Sequence, residues 1–259
     1  MGIILQANNI CKYFGGVKAV NNVSMQITKG DIFGIIGPNG AGKTTFFNIC
    51  SGIIKPTSGN IIFNDENISK LPTEKIVKMG LARTFQNIQL FKFMSVLDNI
   101  KIGFHIRTKS SIFDAIIHSN RYKNDEKFAI EKGIEVLEKV GLMQYKDTLA
   151  GNLAYGIQRK VEIARALASD PEMLLLDEPA AGMNPLETMS LMNFIKKLNY
   201  EGYTIIVIEH DMKFVMNSCN RILVLNFGEK IAEGTPYEIK SNKYVHEAYF
   251  GKGLISGDI

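Results

Sequence analysis

Short apolar runs alternate with amphipathic segments along most of the chain. Residues 23–28 alternate apolar and polar side chains, which is the period of a strand with one buried face. Residues 32–36, 173–176 and 204–208 are nearly continuous apolar runs, typical of parallel strands that are buried on both faces. Between the last two runs, one helix face recurs at the spacing i, i+3, i+4, i+7: Leu191, Phe194, Ile195 and Leu198. Alternating buried strands and amphipathic helices predict an α/β core built on a parallel sheet.

The middle of the chain, from roughly residue 88 to 168, has a mostly helical pattern. Two sets of apolar positions there lie at helical spacing, namely Ile130, Ile134 and Leu137, and also Val136 and Val140. We therefore expect a helical subdomain inserted into the α/β core. A further helix is expected from about residue 42 to 50, directly after the first buried run.

The last part of the chain predicts a short helix after residue 208 and then a hairpin. Residues 221–225 and 230–232 are strand-like, and Asn226-Phe227-Gly228 between them is a turn signal. The end of the chain, 251–259, is glycine-rich, so we expect it to be frayed.

Composition narrows the class of protein without identifying it. A hydrophobic fraction of 46% and a net charge of only +4 exclude intrinsic disorder for a chain of 259 residues. Cys11, Cys50 and Cys219 are odd in number and widely spaced, so reduced thiols are favoured over a disulfide scaffold or a zinc site. No apolar stretch approaches the roughly 18 residues of a spanning helix, and no signal peptide is recognisable. We therefore expect a cytoplasmic chain that serves a membrane only as a peripheral partner.

One segment has the pattern of a phosphate-binding loop. Gly37 to Thr44 fit G-x-x-x-x-G-K-[ST] between a buried strand and a helix. Glycines let backbone N–H groups surround phosphate oxygens, because no Cβ intervenes, and the following helix points its positive N-terminus at the same oxygens. Lys43 adds a full charge near the β- and γ-phosphates, and the Thr44 hydroxyl is placed to coordinate Mg²⁺. The alternative is a glycine-rich turn that binds nothing. The residues expected to hold ATP are Gly37, Asn39, Gly40, Ala41, Gly42, Lys43, Thr44 and Thr45.

Two further buried runs end in polar residues. Asp177 and Glu178 follow 173–176, and ionised acids at such a strand end are costly unless a cation or water meets them. Asp177 suits a Mg²⁺ ligand and Glu178 suits a general base for an attacking water, whereas a solvated strand end is the alternative. His210 follows 204–208. Because parallel strands end at one edge of a sheet, His210 could reach the γ-phosphate, although a lone histidine is more often structural.

Together these residues resemble the ATP-binding cassette (ABC) family, the motor subunits of ABC transporters. The order of motifs is the family's order: the phosphate loop, Arg83-Thr84-Phe85-Gln86, a helical insert, Leu153-Ala154-Tyr155-Gly156, then the acids and the histidine. The resemblance covers about residues 4–250. It implies an α/β fold with a P-loop NTPase core, in which helices flank a parallel sheet, plus an N-terminal antiparallel β part and an inserted helical subdomain. The whole chain, 1–259, would then be a single nucleotide-binding domain.

The resemblance also implies roles for matching positions. Gln86 matches the glutamine that touches Mg²⁺ and senses the transmembrane partner. The family's signature motif binds the γ-phosphate of ATP held by the opposite subunit, and its counterparts here are Ala154, Tyr155 and Gly156. One chain carries only one set of motifs, so the other set must come from a second chain.

Two more positions follow from the resemblance. Asn184 lies in the D-loop, where aspartate is usual. Phe14 matches the aromatic residue that stacks on adenine, with Tyr13 as the alternative. A core aromatic would look the same in sequence as a stacking platform.

Two segments depart from the general family pattern: Leu-Ala-Tyr-Gly at 153–156 stands in place of Leu-Ser-Gly-Gly, and Glu-Pro-Ala-Ala-Gly-Met-Asn-Pro at 178–185 follows Asp177. Both resemble one branch of the family, the LivG-type ATPases of branched-chain amino acid importers. In that branch the ATPase pairs with a related ATPase and with two transmembrane permeases. The resemblance therefore implies a heterodimer, with a homodimer as the alternative, that lies peripherally at the cytoplasmic face of the inner (plasma) membrane and contacts the membrane indirectly through the permeases. ATP and Mg²⁺ are the implied cofactors, and no nucleic acid partner is expected. Ala154 lacks the signature hydroxyl, so we hypothesise that the two ATP sites are unequal.

Other functions are compatible with this sequence, because the motor subunit of a transporter does not contact cargo. They are an ABC ATPase for urea, another solute or lipid export, and a soluble ABC ATPase outside transport. A basic stretch at 101–124 suits either contact with anionic headgroups or an ordinary solvated face. Its five basic residues against one acid are Lys101, Arg107, Lys109, Arg121 and Lys123.

Overall fold

The computed structural model describes residues 2–107 and 110–250. The strands are β1 (Ile3–Phe14), β2 (Val17–Thr28), β3 (Ile32–Ile36), β4 (Ser58–Phe63), β5 (Glu66–Asn67), β6 (Leu81–Arg83), β7 (Met173–Asp177), β8 (Thr204–Ile208), β9 (Arg221–Asn226) and β10 (Glu229–Gly234). The helices are α1 (Lys43–Cys50), α2 (Thr73–Lys78), α3 (Val96–Gly103), α4 (Ile112–Ile116), α5 (Asn120–Val140), α6 (Tyr155–Leu167), α7 (Pro185–Tyr200), α8 (Met212–Ser218), α9 (Pro236–Lys240) and α10 (Lys243–Phe250). Short 3₁₀ turns occur at Phe104–Ile106, Met143–Tyr145 and Ala150–Asn152. Lys109 and the glycine-rich end, 251–259, lie outside the described residues.

The main sheet has the strand order β10-β9-β3-β8-β7-β6. All pairs are parallel except the pair of β10 with β9. Every residue of β3, β7 and β8 is buried, which confirms the predicted parallel core. These strands read as continuous apolar runs because both of their faces are covered.

Successive side chains of the central strands belong to two different cores, as the period of two requires. Leu174 and Leu176 point to the side covered by α3, α5, α6 and α7. Met173 and Leu175 point to the other side, where α1 and a second sheet pack. That second sheet is antiparallel, in the order β2-β1-β4-β5, and is the N-terminal antiparallel part that the resemblance implied.

The helical face predicted in α5 is confirmed at Leu137 and Val140, which are buried, and is shifted by one residue at Ile130 and Ile134. Its buried residues are Ala129, Gly133, Leu137 and Val140, while Ile130 and Ile134 are only half-buried. Close packing against α3 explains the difference, since a Cβ on Gly133 would lie 2.7 Å from Leu97 Cδ1. A face built on small residues carries little hydrophobic signal, so the pattern located the helix but not the centre of its contact.

The predicted hairpin at the end of the main sheet is confirmed. Phe227 and Gly228 join β9 to β10, and both have positive φ, at 48° and 80°. Two consecutive positive φ values are characteristic of the type I′ turn, whose twist matches that of the flanking strands. The tip also anchors the N-terminal half, because Gly228 donates its N–H to Ala41 O (3.0 Å) and its carbonyl accepts from Asn21 N–H (2.8 Å).

All three cysteines are free. Burial raises the pKa of Cys50 and of Cys219 to about 12, so both thiols remain protonated near neutral pH. They pack as small apolar side chains.

Gly34 offers a test of the contact between β3 and α8. A Cβ on Gly34 would lie 2.9 Å from Val215 Cγ1 and 3.0 Å from Cys219 Sγ. We expect Gly34→Ala to lower the free energy of unfolding by about 1–3 kcal/mol through overpacking. Combination with Val215→Ala should recover part of this loss in a urea-melting double-mutant cycle. Gly16→Ala, which meets no atom within 4 Å, is the control. A Gly34→Ala chain as stable as this control would contradict the packing described.

Candidate functional site

The candidate phosphate loop connects β3 to α1. Gly42, immediately before α1, has φ +93°, and a Cβ there would overlap the carbonyl oxygen of Ala19 in β2. A Cβ on Gly37 would overlap the carbonyl oxygen of Leu225 in β9. These two glycines therefore have a packing role in addition to leaving room for an anion, because they let both neighbouring strands approach the loop.

Lys43 is buried and curls back over this loop. Its Nζ donates to Gly37 O (2.8 Å) and to Pro38 O (3.0 Å). Burial lowers the pKa of the Lys43 ammonium, and the negative charge of Glu178 opposes that shift. A full positive charge is thus held against the loop by two carbonyl oxygens, close enough to an acid for the two charges to interact.

A groove of about 510 Å³ opens over the loop. Most of the residues predicted to hold ATP line it: Asn39, Gly40, Ala41, Gly42, Lys43, Thr44 and Thr45. Glu178 lies in the same wall. The phosphate loop and Glu178, which are far apart in sequence, therefore meet at one surface.

Two parts of the lining escaped the sequence reasoning. The first is the start of β2, at residues 17–19, and the second is Phe227 at the tip of the β9–β10 hairpin, which is 85% exposed. Phe14 lies at the end of β1, is 49% exposed and has Lys12 Nζ 5.1 Å from its ring centre. Tyr13 is also exposed, and its hydroxyl donates to Asn21 Oδ1 (3.2 Å). Both aromatic rings are thus surface side chains rather than core residues.

Asp177, at the end of β7, is a member of a buried ion pair. Arg83 Nη2 donates to Asp177 Oδ2 (2.7 Å), and both side chains are less than a tenth exposed. Arg83 Nη1 also donates to Asn48 Oδ1 and to Ser51 Oγ, at 2.7 Å each. Sequence reasoning missed Arg83 as the partner of Asp177. The available signal was its position at the end of β6, directly beside β7 in the sheet.

Glu178, Gln86 and His210 come together at a single oxygen atom. Gln86 Nε2 donates to Glu178 Oε2 (3.0 Å), and His210 Nδ1 lies 3.7 Å from that oxygen. Glu178 is held in the left-handed region at φ +42°, with its N–H donating to Ile208 O (3.0 Å). Non-glycine residues in this conformation cluster at functional sites. The parallel pairing of β7 with β8 brings Glu178 beside His210, and the pairing of β6 with β7 brings Gln86 to the same edge.

Glu209 is a second acid at this edge, and sequence reasoning assigned it no role. Its side chain is buried, and Oε1 accepts the N–H of Ala180 (2.8 Å). Oε2 lies 3.9 Å from His210 Nδ1. Burial raises the pKa of the Glu209 carboxyl, while the Ala180 N–H opposes the shift. Glu209 therefore links the start of the predicted D-loop, 180–184, to the histidine.

The predicted signature and D-loop lie together, away from the groove. Tyr155 begins α6 and is exposed, whereas Gly156 is buried with Glu187 Cγ 3.3 Å from where its Cβ would be. Asn184 caps α7, since its Oδ1 accepts the N–H groups of Leu186 and Glu187 (3.0 Å each). The described residues that line the groove do not include Ala154, Tyr155, Gly156 or Asn184.

The side chains predicted to hold Mg²⁺ have suitable chemistry. A hydroxyl, an amide oxygen and a carboxylate, from Thr44, Gln86 and Asp177, are hard oxygen donors of the type that Mg²⁺ prefers. Thr44 is exposed in the groove. Gln86 uses its nitrogen toward Glu178, which leaves its amide oxygen available. Within residues 2–107 and 110–250, no group of three His, Cys, Asp or Glu residues is placed to hold a metal ion.

The sequence and the fold both match known proteins. The sequence pattern of the ABC transporter family covers residues 20–181. The high-affinity branched-chain amino acid transport ATP-binding protein LivG of Escherichia coli K12 is 43% identical over 250 residues, which is 96% of this chain and 98% of LivG. The crystal structure of an ABC transporter cassette in its ADP conformation superposes with a TM-score of 0.85 at 34% identity, covering 97% of this chain and 100% of the cassette. A dimeric cassette bound to ADP and Pi superposes with a TM-score of 0.74 at 26% identity, covering 90% of this chain and 99% of that cassette.

In the part of the chain that the structure describes, none of the helices combines the length and the apolar character needed to cross a bilayer.

Gly42 provides a test of the groove. Gly42→Ala should weaken binding of a fluorescent ATP analogue by about tenfold or more, because the new Cβ meets the Ala19 carbonyl and alanine at this φ costs about 1–3 kcal/mol. Gly16→Ala, with no positive φ and no neighbour within 4 Å, should leave the affinity unchanged. Equal affinity for the two variants would show that the loop is not the binding site.

Proposed function

The chain belongs to the ABC transporter family, and from that premise we propose that it is the ATP-binding and ATP-hydrolysing subunit of an importer for branched-chain amino acids. The observation that carries the ATPase activity is one groove that combines the phosphate loop with Glu178, whose carboxylate meets Gln86 and His210. The 43% identity to LivG over nearly the whole chain supports the cargo. Urea, another solute, lipid export and a role outside transport are the alternatives.

The residues of the groove have separate tasks in this proposal. The loop N–H groups and Lys43 bind the phosphates of ATP. Thr44, Gln86 and Asp177 hold Mg²⁺, which when bound neutralises phosphate charge. Glu178 accepts a proton from the attacking water, and His210 contacts the γ-phosphate. Arg83 keeps Asp177 in place, because it donates to Asp177 and also to Asn48 in α1 and to Ser51 just after α1.

We propose that the second half of each ATP site comes from another ATPase chain. None of the four residues Ala154, Tyr155, Gly156 and Asn184 lines the groove of its own chain, yet the contact of Gly156 with Glu187, which is bonded to Asn184, brings them together. Such an arrangement is complete only when a second subunit brings its own copy to the phosphates. The likeness to a dimeric cassette bound to ADP and Pi supports this. A heterodimer with a related ATPase is our proposal, and a homodimer is the alternative.

The aromatic residues around Gln86 support a site of contact with the permeases. Phe85, Phe91 and Phe93 are exposed, Phe93 by 94%. Exposed aromatic clusters are enriched at protein interfaces. A permease bound here would touch the segment that carries Gln86, so membrane contact would be indirect and the chain would lie peripherally at the cytoplasmic face of the inner membrane.

The basic stretch gives less support to direct lipid contact. Lys101 is paired with Asp98 and Glu126, and Arg107 is paired with Asp170. Two of the five basic residues are thus neutralised by acids in the described part of the chain, whereas Lys109 lies outside it. We further propose that residues 1–259 form one nucleotide-binding domain in which 88–168 is the helical subdomain.

The transporter assignment predicts a specific set of co-purifying proteins. The tagged chain, recovered from detergent-solubilised membranes, should bring down a second ATPase and multi-span permeases, and the permeases should then take up leucine, isoleucine and valine. Phe93→Ser should reduce permease recovery about tenfold or more if Phe93 is a central contact. Tyr200→Ser is the matched control, because Tyr200 is equally exposed at 93% but lies at the end of α7. Recovery of no membrane protein would remove the transport assignment and leave the ATPase standing.

The role of Glu178 predicts a separation of binding from turnover. Glu178→Gln should retain ATP binding but reduce hydrolysis by about 10²–10⁴-fold, which is the contribution of a general base. Glu172→Gln is the matched control, since Glu172 lies just before β7, at the opposite end from Glu178, and forms an exposed pair with Lys29. Phosphate release by the assembled complex measures both. Undiminished hydrolysis in Glu178→Gln would exclude Glu178 as the base.

A further inference from the structure

A fully buried ion pair lies in α6, outside the groove. Arg159 is 0% exposed and Glu162 is 2% exposed, and Arg159 Nη1 donates to Glu162 Oε2 (2.7 Å). Neither residue lines the groove, and none of the tasks assigned above uses them. A buried pair of this kind is not required for stability, because apolar residues of similar volume are often at least as stable in its place.

The pair instead holds the backbone of the segment that carries Gln86. Residues 85–89, here called the Gln86 segment, belong to neither a helix nor a strand. Arg159 donates to Phe85 O (2.7 Å) and to Gln86 O (2.6 Å). Glu162 Oε1 accepts the N–H of Gln89 (3.1 Å). Three main-chain atoms of this segment are therefore bonded to one pair of side chains on α6.

The same helix begins at the signature motif. Tyr155 and Arg159 are four residues apart, so they lie one turn apart on one face of α6. The side chain of Gln86, in turn, is bonded to Glu178 in the groove. Arg159 is thus the connection between a group in the chain's own ATP site and the residues that, in the proposed dimer, face the ATP of the partner.

We propose that Arg159 and Glu162 are positioning residues that couple the two nucleotide sites of the dimer. This inference rests on the proposed function. A shift of the Gln86 side chain in the groove would move the segment, and the bonds from Arg159 to Phe85 O and Gln86 O would transfer that movement to the start of α6. The planar guanidinium suits this task because its fork of donors binds two carbonyls and a carboxylate at once in a fixed geometry. A lysine would keep the charge but not the fork.

The test compares Arg159→Lys with a control on the neighbouring residue, Lys160→Met. Lys160 is on the same helix, but its Nζ donates to Ser190 Oγ (2.8 Å) and has no bond to the Gln86 segment. Hydrogen–deuterium exchange of the full chain is measured with and without MgATP, and ATP affinity is measured in parallel. In the native chain and in Lys160→Met, ATP should change the exchange of amides both in residues 85–89 and in residues 153–158.

In Arg159→Lys, the affinity for ATP should stay within about threefold of the native value. The ATP-dependent change in hydrogen–deuterium exchange of residues 153–158 should fall at least about threefold, which is the size expected of a coupling residue. Full transmission in Arg159→Lys would overturn the inference, and so would a native chain that responds at 85–89 but not at 153–158. If Arg159→Lys does not fold, Glu162→Gln replaces it with the same expectation, because a single amide oxygen cannot accept from both Arg159 and Gln89 as well as a carboxylate does. A native chain that binds no ATP would instead overturn the proposed function, which distinguishes the two failures.

Discussion

The parallel pairing of β3, β8 and β7 is the constraint on which the rest of the site depends. Because these strands run in the same direction, their carboxyl ends share one edge of the sheet. The phosphate loop, the two acids and the histidine follow those three ends directly. The apolar character of the strands is therefore linked to the chemistry of the residues after them. Burial on both faces fixes the strands in register, and the register fixes the distances between the polar groups that emerge from them.

Three charged groups at this edge are buried, and each is matched by a specific partner. Asp177 is matched by Arg83, Lys43 by two loop carbonyls, and Glu209 by the N–H of Ala180. Unmatched charges in such surroundings would be too costly to retain. Matched charges have the opposite effect, since they are held in place before any ligand arrives and act in surroundings with little water to screen them. The site therefore resembles a preassembled electrostatic framework, with the exposed Thr44 and Gln86 left at its open side.

How much could be predicted from the sequence differs between kinds of residue. The three central strands and the phosphate loop were predictable because continuous apolar runs and glycine spacing are local signals. Arg83, Arg159 and Glu162 were not, since periodicity treats charged side chains as solvent-facing and gives no information about buried pairs. On α5, Leu137 and Val140 were predicted, but Ala129 and Gly133 were missed for the opposite reason, because alanine and glycine contribute little hydrophobic signal. Val17 and Phe227 were missed because their nearness to the loop arises only from the fold.

The tie between Gly228 and Ala41 has a consequence for how the protein is made. β3 lies between β8 and β9, so both of its neighbours come from the last quarter of the chain. The phosphate loop is likewise packed against Leu225 and bonded to Gly228. During synthesis, β3 and the phosphate loop therefore cannot complete these contacts until β8 and β9 have left the ribosome. Long-range pairings of this kind form slowly. The groove over the phosphate loop therefore takes its final form only after β8 and β9 have paired with β3.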